Sequence, residues 1–182
     1  TYVGGTSNLI LDPELNSFYL MDLMIAKLPF LSEKLGVMRG TGTSFAVSKN
    51  MSNDDLVELA ISMAYIGELF SGSKNGLNAS HENNKDLKNM LGDSEENFIR
   101  DVSAFIDLSK NSIMKSNENI TISPELYFLA GSNAIQATEN LYNKTGPALT
   151  NLLEARIDKL KTKINIEIIL VSIFITLSLF VA

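Results

Sequence analysis

Three side chains on one stretch of this chain have the types and spacing to hold a ligand. Tyr19 and Asp22 lie three residues apart, on one face of any helix, where a hydroxyl beside a carboxylate suits a polar or cationic group. Arg39 is one of only three arginines and sits between Gly36 and Gly40, with room for a close approach. Its planar donor fork matches a carboxylate. The alternative is structural: Asp22 and Arg39 bond neighbouring helices, and Tyr19 packs with its hydroxyl at the rim. Asp12 reads as a helix cap rather than a ligand contact.

No catalytic constellation accompanies them, so no catalytic residue is expected in this chain. With no cysteine and one histidine, a transition-metal site of the usual kind does not arise. His81 falls in a polar Ser80-His81-Glu82-Asn83-Asn84 stretch and reads as a solvated turn residue. The acidic clusters lack the spacing of a calcium loop. Gly40-Thr41-Gly42 has no strand before it and no Lys-Ser/Thr after it, so it is not a phosphate loop. Neither metal nor cofactor is expected. An excess of acids, 21 against 15 basic residues, argues against nucleic acid as a partner.

These residues require helices to position them. Asp12-Pro13-Glu14 supplies an N-cap, a proline for the first turn and an acid at the positive dipole end. Leu20, Met24, Leu28, Leu31, Leu35 and Met38 follow at helical spacing as one buried stripe. Pro29 should bend this first helix, and Gly36, Gly40 and Gly42 leave its stop anywhere from Arg39 to Lys49. A second helix starts at Ser52, with Met51 and Leu56 placed as a staple, and buries Leu56, Leu59, Met63, Ile66, Phe70 and Leu77. A third carries Leu87, Leu91, Phe98, Val102 and Phe105, with an interruption at Gly92 where Asp93 and Glu96 would form a new cap. The fourth opens at Ser123-Pro124-Glu125, with Ile122 and Tyr127 as its staple. Its stripe is Ala130, Ala134, Ala137, Leu141, Ala148, Leu152 and Ala155, with Pro147 as a kink. Similar lengths and short connections predict an all-α, up-and-down antiparallel bundle.

The fourth helix has no turn signal before an apolar end. Residues 168–182 are uncharged, with Ser172, Thr176 and Ser178 the only polar ones. Hydrocarbon about 30 Å thick needs roughly 20 such residues, so the last helix is expected to continue into a transmembrane span. The expected division is a helical sensor domain over 1–163 and a span over 164–182. The chain begins at Thr1 without an initiator methionine and reads as a piece of a longer protein. Helix parity places the start of the first helix near the membrane. An upstream hairpin is therefore expected to cover the otherwise exposed apolar faces of Phe18, Met21 and Ile25.

The segment Ser7-Asn8-Leu9-Ile10-Leu11-Asp12-Pro13-Glu14-Leu15-Asn16-Ser17-Phe18-Tyr19-Leu20-Met21-Asp22 resembles the SNLILDPDLDSYYLMD stretch of helical extracytoplasmic sensor regions. Such regions occur in bacterial methyl-accepting chemotaxis proteins and in related transmembrane histidine kinases and diguanylate cyclases. Leu28-Pro29, Leu35-Gly36, Arg39-Gly40 and Leu152-Leu153-Glu154-Ala155-Arg156-Ile157 are similar too, so the resemblance runs along nearly the whole chain. Asn16 stands where the pattern has an acid, and a carboxylate role there is lost. The resemblance implies a chemotaxis receptor's sensing domain between two spans of the bacterial inner membrane, facing the periplasm, with signalling modules after Ala182. Its implied partners are a small-molecule ligand or a periplasmic binding protein, and a second copy in a homodimer.

Arg156, Lys159, Lys161 and Lys163 precede the span, and basic residues commonly mark the cytoplasmic flank. They also reach lipid headgroups from either side. The alternatives are thus a cytoplasmic helical-bundle interaction protein anchored by its C-terminal tail, or the sensor region of a histidine kinase or diguanylate cyclase.

Overall fold

The computed structural model describes residues 15–82, 84–116 and 119–181. The expected cap at Asp12-Pro13 and the first half of the motif at 7–22 lie outside them. The chain divides into two compact units, Thr1–Ala148 and Leu149–Ala182. The bundle belongs to the first.

Four helical arms build that bundle, and no strand occurs among the described residues. The first arm is α1 (Leu15–Asp22), a π-turn (Leu23–Lys27) and α2 (Leu28–Ser48). The second is α3 (Asn53–His81). The third is α4 (Lys85–Leu91), α5 (Asp93–Ser109) and a second π-turn (Lys110–Met114). The fourth is α6 (Pro124–Val181), which continues past the bundle unit. Successive arms run antiparallel. Gly76 and Gly72 of the second face Leu23 and Lys27 of the first, and Gly42, Gly131 and Gly146 join the first and fourth through Tyr127, Arg39 and Met24. Phe70 meets Phe98 edge-on at 5.4 Å and Phe105 meets Tyr127 at 5.2 Å, linking the remaining neighbours. This is the up-and-down bundle that the stripes predict.

Local chemistry sets each boundary. Ser52 caps α3 reciprocally with Asp55: the Asp55 N–H donates to the Ser52 hydroxyl and the Ser52 N–H to the Asp55 carboxylate. The Ser52 hydroxyl, which donates to the Asp55 carboxylate at 2.6 Å, and then the Ser52 N–H hold that carboxyl below its usual range. α2 stops at Ser48, where Lys49 turns left-handed at φ 57° and its N–H reaches the Phe45 carbonyl at 2.8 Å. The third arm breaks at Gly92 as expected, but by another device. Gly92 itself is the N-cap at φ 52°, ψ −140°, and no side chain caps α5. That positive φ favours glycine, so an Asp93–Glu96 cap has nothing to contribute. Pro29 also acts differently from a simple bend. The turn before it is widened, and the Leu28 N–H reaches back five residues to the Leu23 carbonyl. Such a bulge relieves crowding ahead of the proline ring.

The core follows the stripes closely. Leu20, Leu28, Leu31, Leu35, Leu59, Ile66, Leu77, Leu87, Phe98, Val102 and Phe105 are buried, as are Ala134, Ala137, Leu141 and Ala148 on the fourth arm. Small residues there let the first arm approach closely. Met21, expected on an exposed face, is only 5% exposed; Phe18 and Ile25 are half-buried. The buried hydroxyls of Ser73, Ser80, Ser109, Thr138 and Thr145 all donate to carbonyls three or four residues earlier. Their polarity is thereby satisfied within their own helices.

Tyr127 is fully buried, and its hydroxyl lies 2.7 Å from the Ser109 hydroxyl and 3.4 Å from the Met38 carbonyl, to which it donates. A Cβ on Gly42 would fall 2.3 Å from the Tyr127 hydroxyl oxygen. Gly42→Ala is therefore expected to cost about 1–3 kcal/mol through overpacking. Tyr127→Phe should cost only about 1 kcal/mol, because Ser109 keeps its bond to the Phe105 carbonyl. Burial pushes the Tyr127 hydroxyl up from 10.0 to about 12. The unfolded chain then ionises first as pH rises, so this group's stabilisation is complete below pH 10 and is lost between 10 and about 12. Chemical denaturation across that window should show the wild type losing about 2–3 kcal/mol more than Tyr127→Phe does.

Candidate functional site

The first and fourth arms leave a groove where α2 begins. Leu28, Pro29 and Ser32 form one wall and Thr138, Glu139 and Tyr142 the other, around about 250 Å³ of space. The π-turn and Pro29 set the first wall. Leu28 is buried and forms part of an apolar floor, with the exposed Pro29 ring beside it. On the opposite helix Thr138 is buried and its hydroxyl donates to the Ala134 carbonyl at 2.8 Å. Glu139 and Tyr142, three residues apart, stand exposed at the rim. No cation pairs with Glu139 among the described residues. The groove thus offers a carboxylate, a phenol ring, a serine hydroxyl and aliphatic surface.

The three residues singled out by type and spacing lie elsewhere. Tyr19 is half-buried, edge-on to Phe18 at 5.5 Å, with its ring edge toward Gly76. Asp22 pairs with Lys27 across the π-turn, each side chain about a quarter exposed. The cation beside Asp22 is one of the chain's own, and its aliphatic stem crosses Gly72, where a Cβ would come within 3.1 Å. Arg39 is seventeen residues from Asp22, about 25 Å along a helix. The first arm therefore keeps Tyr19 and Asp22 together and Arg39 apart. The Arg39 guanidinium lies 4.5 Å over the Phe128 ring, and its Nη1 donates to the Ser132 hydroxyl at 2.9 Å. Its Nε is buried without a partner.

His81 is not a solvated turn residue. α3 runs through it, and its Nε2 lies 2.8 Å from a Glu95 carboxylate oxygen, the two side chains 14% and 10% exposed. The reason is the chain reversal: the first turn of α5 folds back against the last turn of α3 and brings Glu95 to His81. Among the described residues no group of three or more His, Cys, Asp and Glu is placed to hold a metal ion.

Sequence reasoning did not single out Glu139, Tyr142 or Ser32. Their juxtaposition depends on the pairing of helices more than a hundred residues apart. Pro29 was the one available signal, and it predicts a distortion rather than a site. No protein-family model, curated protein or solved structure matches this chain, so the chemistry rests on the geometry.

The Arg39 contacts generate a direct expectation. Arg39→Lys loses the flat stacking on Phe128 and the directed bond to Ser132, and should lower stability by about 1 kcal/mol. Urea unfolding of the two proteins measures this. An unchanged midpoint would leave the fork free for a ligand.

Proposed function

We propose that this chain is the ligand-sensing region of a transmembrane bacterial receptor of the chemotaxis type, with its bundle outside the cell membrane. The observation that carries the reading is α6. One helix, Pro124–Val181, contains both a bundle arm and a stretch long and apolar enough to cross a membrane by length and composition. None of that apolar window is buried. The resemblance of residues 7–22 to chemoreceptor sensor regions supports the same reading and makes a homodimer the expected assembly.

In mechanism such a region is a coupling device. A ligand, or a periplasmic binding protein carrying one, favours one packing of the arms and shifts the equilibrium toward it. A small slide or rotation of the arm in α6 is then felt along the same helix. The basic residues Arg156, Lys159, Lys161 and Lys163 favour a second reading, a cytoplasmic bundle held by a C-terminal anchor. The residues that follow Ala182 separate the two in sequence, since a receptor continues into signalling modules.

Topology separates them by experiment. Lys88 and Asn89 are exposed on α4, far in sequence from the span. Lys88→Cys and Asn89→Cys, introduced singly into the full-length protein, should react with a membrane-impermeant maleimide in intact cells whose outer membrane is permeabilised. Labelling confined to lysed cells would place the bundle inside and favour the anchored interaction protein.

A further inference from the structure

We propose that the groove between the first and fourth arms binds a small organic ammonium ion with a compact apolar body. As a binding site this stands on the groove itself; as the sensor's ligand site it rests on the receptor reading above.

The chemistry of the lining selects the class. Glu139 is the only charged side chain among the residues that line the groove, and it has no cation partner among the described residues. An ammonium group offers Glu139 the partner it lacks, while an anion would meet repulsion there. Tyr142 stands three residues along the same helix, on the same face, and also lines the groove, where an aromatic ring adds attraction for a cation. The Ser32 hydroxyl on the opposite wall supplies an acceptor for a second ammonium hydrogen. Below them Leu28 and the Pro29 ring are apolar, and the Thr138 hydroxyl is already bonded to the Ala134 carbonyl. The floor therefore suits a hydrocarbon or aryl body and gains nothing from a second polar group. At about 250 Å³, the space falls just below the range of drug-sized pockets, so the body is small.

The position matters as much as the chemistry. One wall is α6, and the other begins at the π-turn, where backbone hydrogen bonding is already displaced from the α pattern. A ligand bridging the two walls makes contacts that depend on their spacing, which is the differential binding a sensor needs.

The test uses full-length protein in lipid nanodiscs, with benzylamine as the probe and empty nanodiscs as the blank. Benzyl alcohol and benzoate have the same ring with a neutral or negative head. Titration by ligand-observed NMR should show saturable benzylamine binding, roughly tenfold tighter than benzyl alcohol, and none with benzoate. Glu139→Gln should weaken benzylamine about five- to tenfold and erase its advantage over the alcohol. Tyr142→Leu should weaken it about threefold. Glu68→Gln, an exposed acid on the second arm, should change nothing. Both groove substitutions are at exposed positions, and equal melting curves establish that the variants are folded. The proposal is overturned by absent saturable binding, by equal binding of benzoate, or by full benzylamine affinity in folded Glu139→Gln. Its outcome is independent of the cysteine labelling: groove binding with an internal bundle retires the receptor reading alone, and an external bundle without groove binding retires this proposal alone.

Discussion

The bundle depends on one close approach, the seating of the Tyr127 ring against the bare backbone of Gly42. No side chain on the first arm fits beneath that ring, since even a methyl would overlap three of its atoms. The contact brings the first and fourth arms together and places the tyrosine hydroxyl within reach of Ser109 on the third and the Met38 carbonyl on the first. One residue thereby ties three arms. Gly131 repeats the device a turn further along, where a Cβ would strike both Arg39 and Phe105. The alanines at 134 and 137 continue the narrow seam. Past them, Thr138, Glu139 and Tyr142 face Pro29 across the groove.

Most of this architecture was legible from the residue pattern, because a helical bundle writes its core as a stripe. Leu28, Leu31, Leu35 and Met38 are buried where their spacing requires, and so are Leu87, Leu91, Phe98, Val102 and Phe105. Ser52 caps where its neighbours say it should. Local chemistry decides such features, and local chemistry is visible in sequence. Two misses are non-local. His81 sits in a polar run, yet Glu95 folds back onto it. Met21 falls outside the principal stripe and is buried all the same. The Gly92 break was visible, but its device was not, since an Asp93–Glu96 pair and a glycine cap look alike in one dimension.

The candidate site was legible in type but not in place. Tyr19, Asp22 and Arg39 were chosen as groups that bind other groups, and Asp22 and Arg39 do so here, with Lys27, Ser132 and Phe128 of their own chain. A residue type announces what a side chain can bond but not whether the fold has already supplied the partner. Glu139 shows the converse. Nothing in its neighbourhood along the chain distinguishes it from other surface acids, and its interest comes from facing Leu28 and Pro29 with no cation of its own.

The π-turn at Leu23–Lys27 carries a consequence for the length of the chain. Leu23 and Leu28 are five residues apart, and both are fully buried, because one widened turn returns the chain to the same face after five residues rather than four. The turn accommodates a one-residue insertion without rotating the leucines on either side of it out of register. The first arm thus holds its phase at both ends and confines the surplus residue to one turn. Core registry is kept on both sides of a turn that carries one residue more than an α-turn.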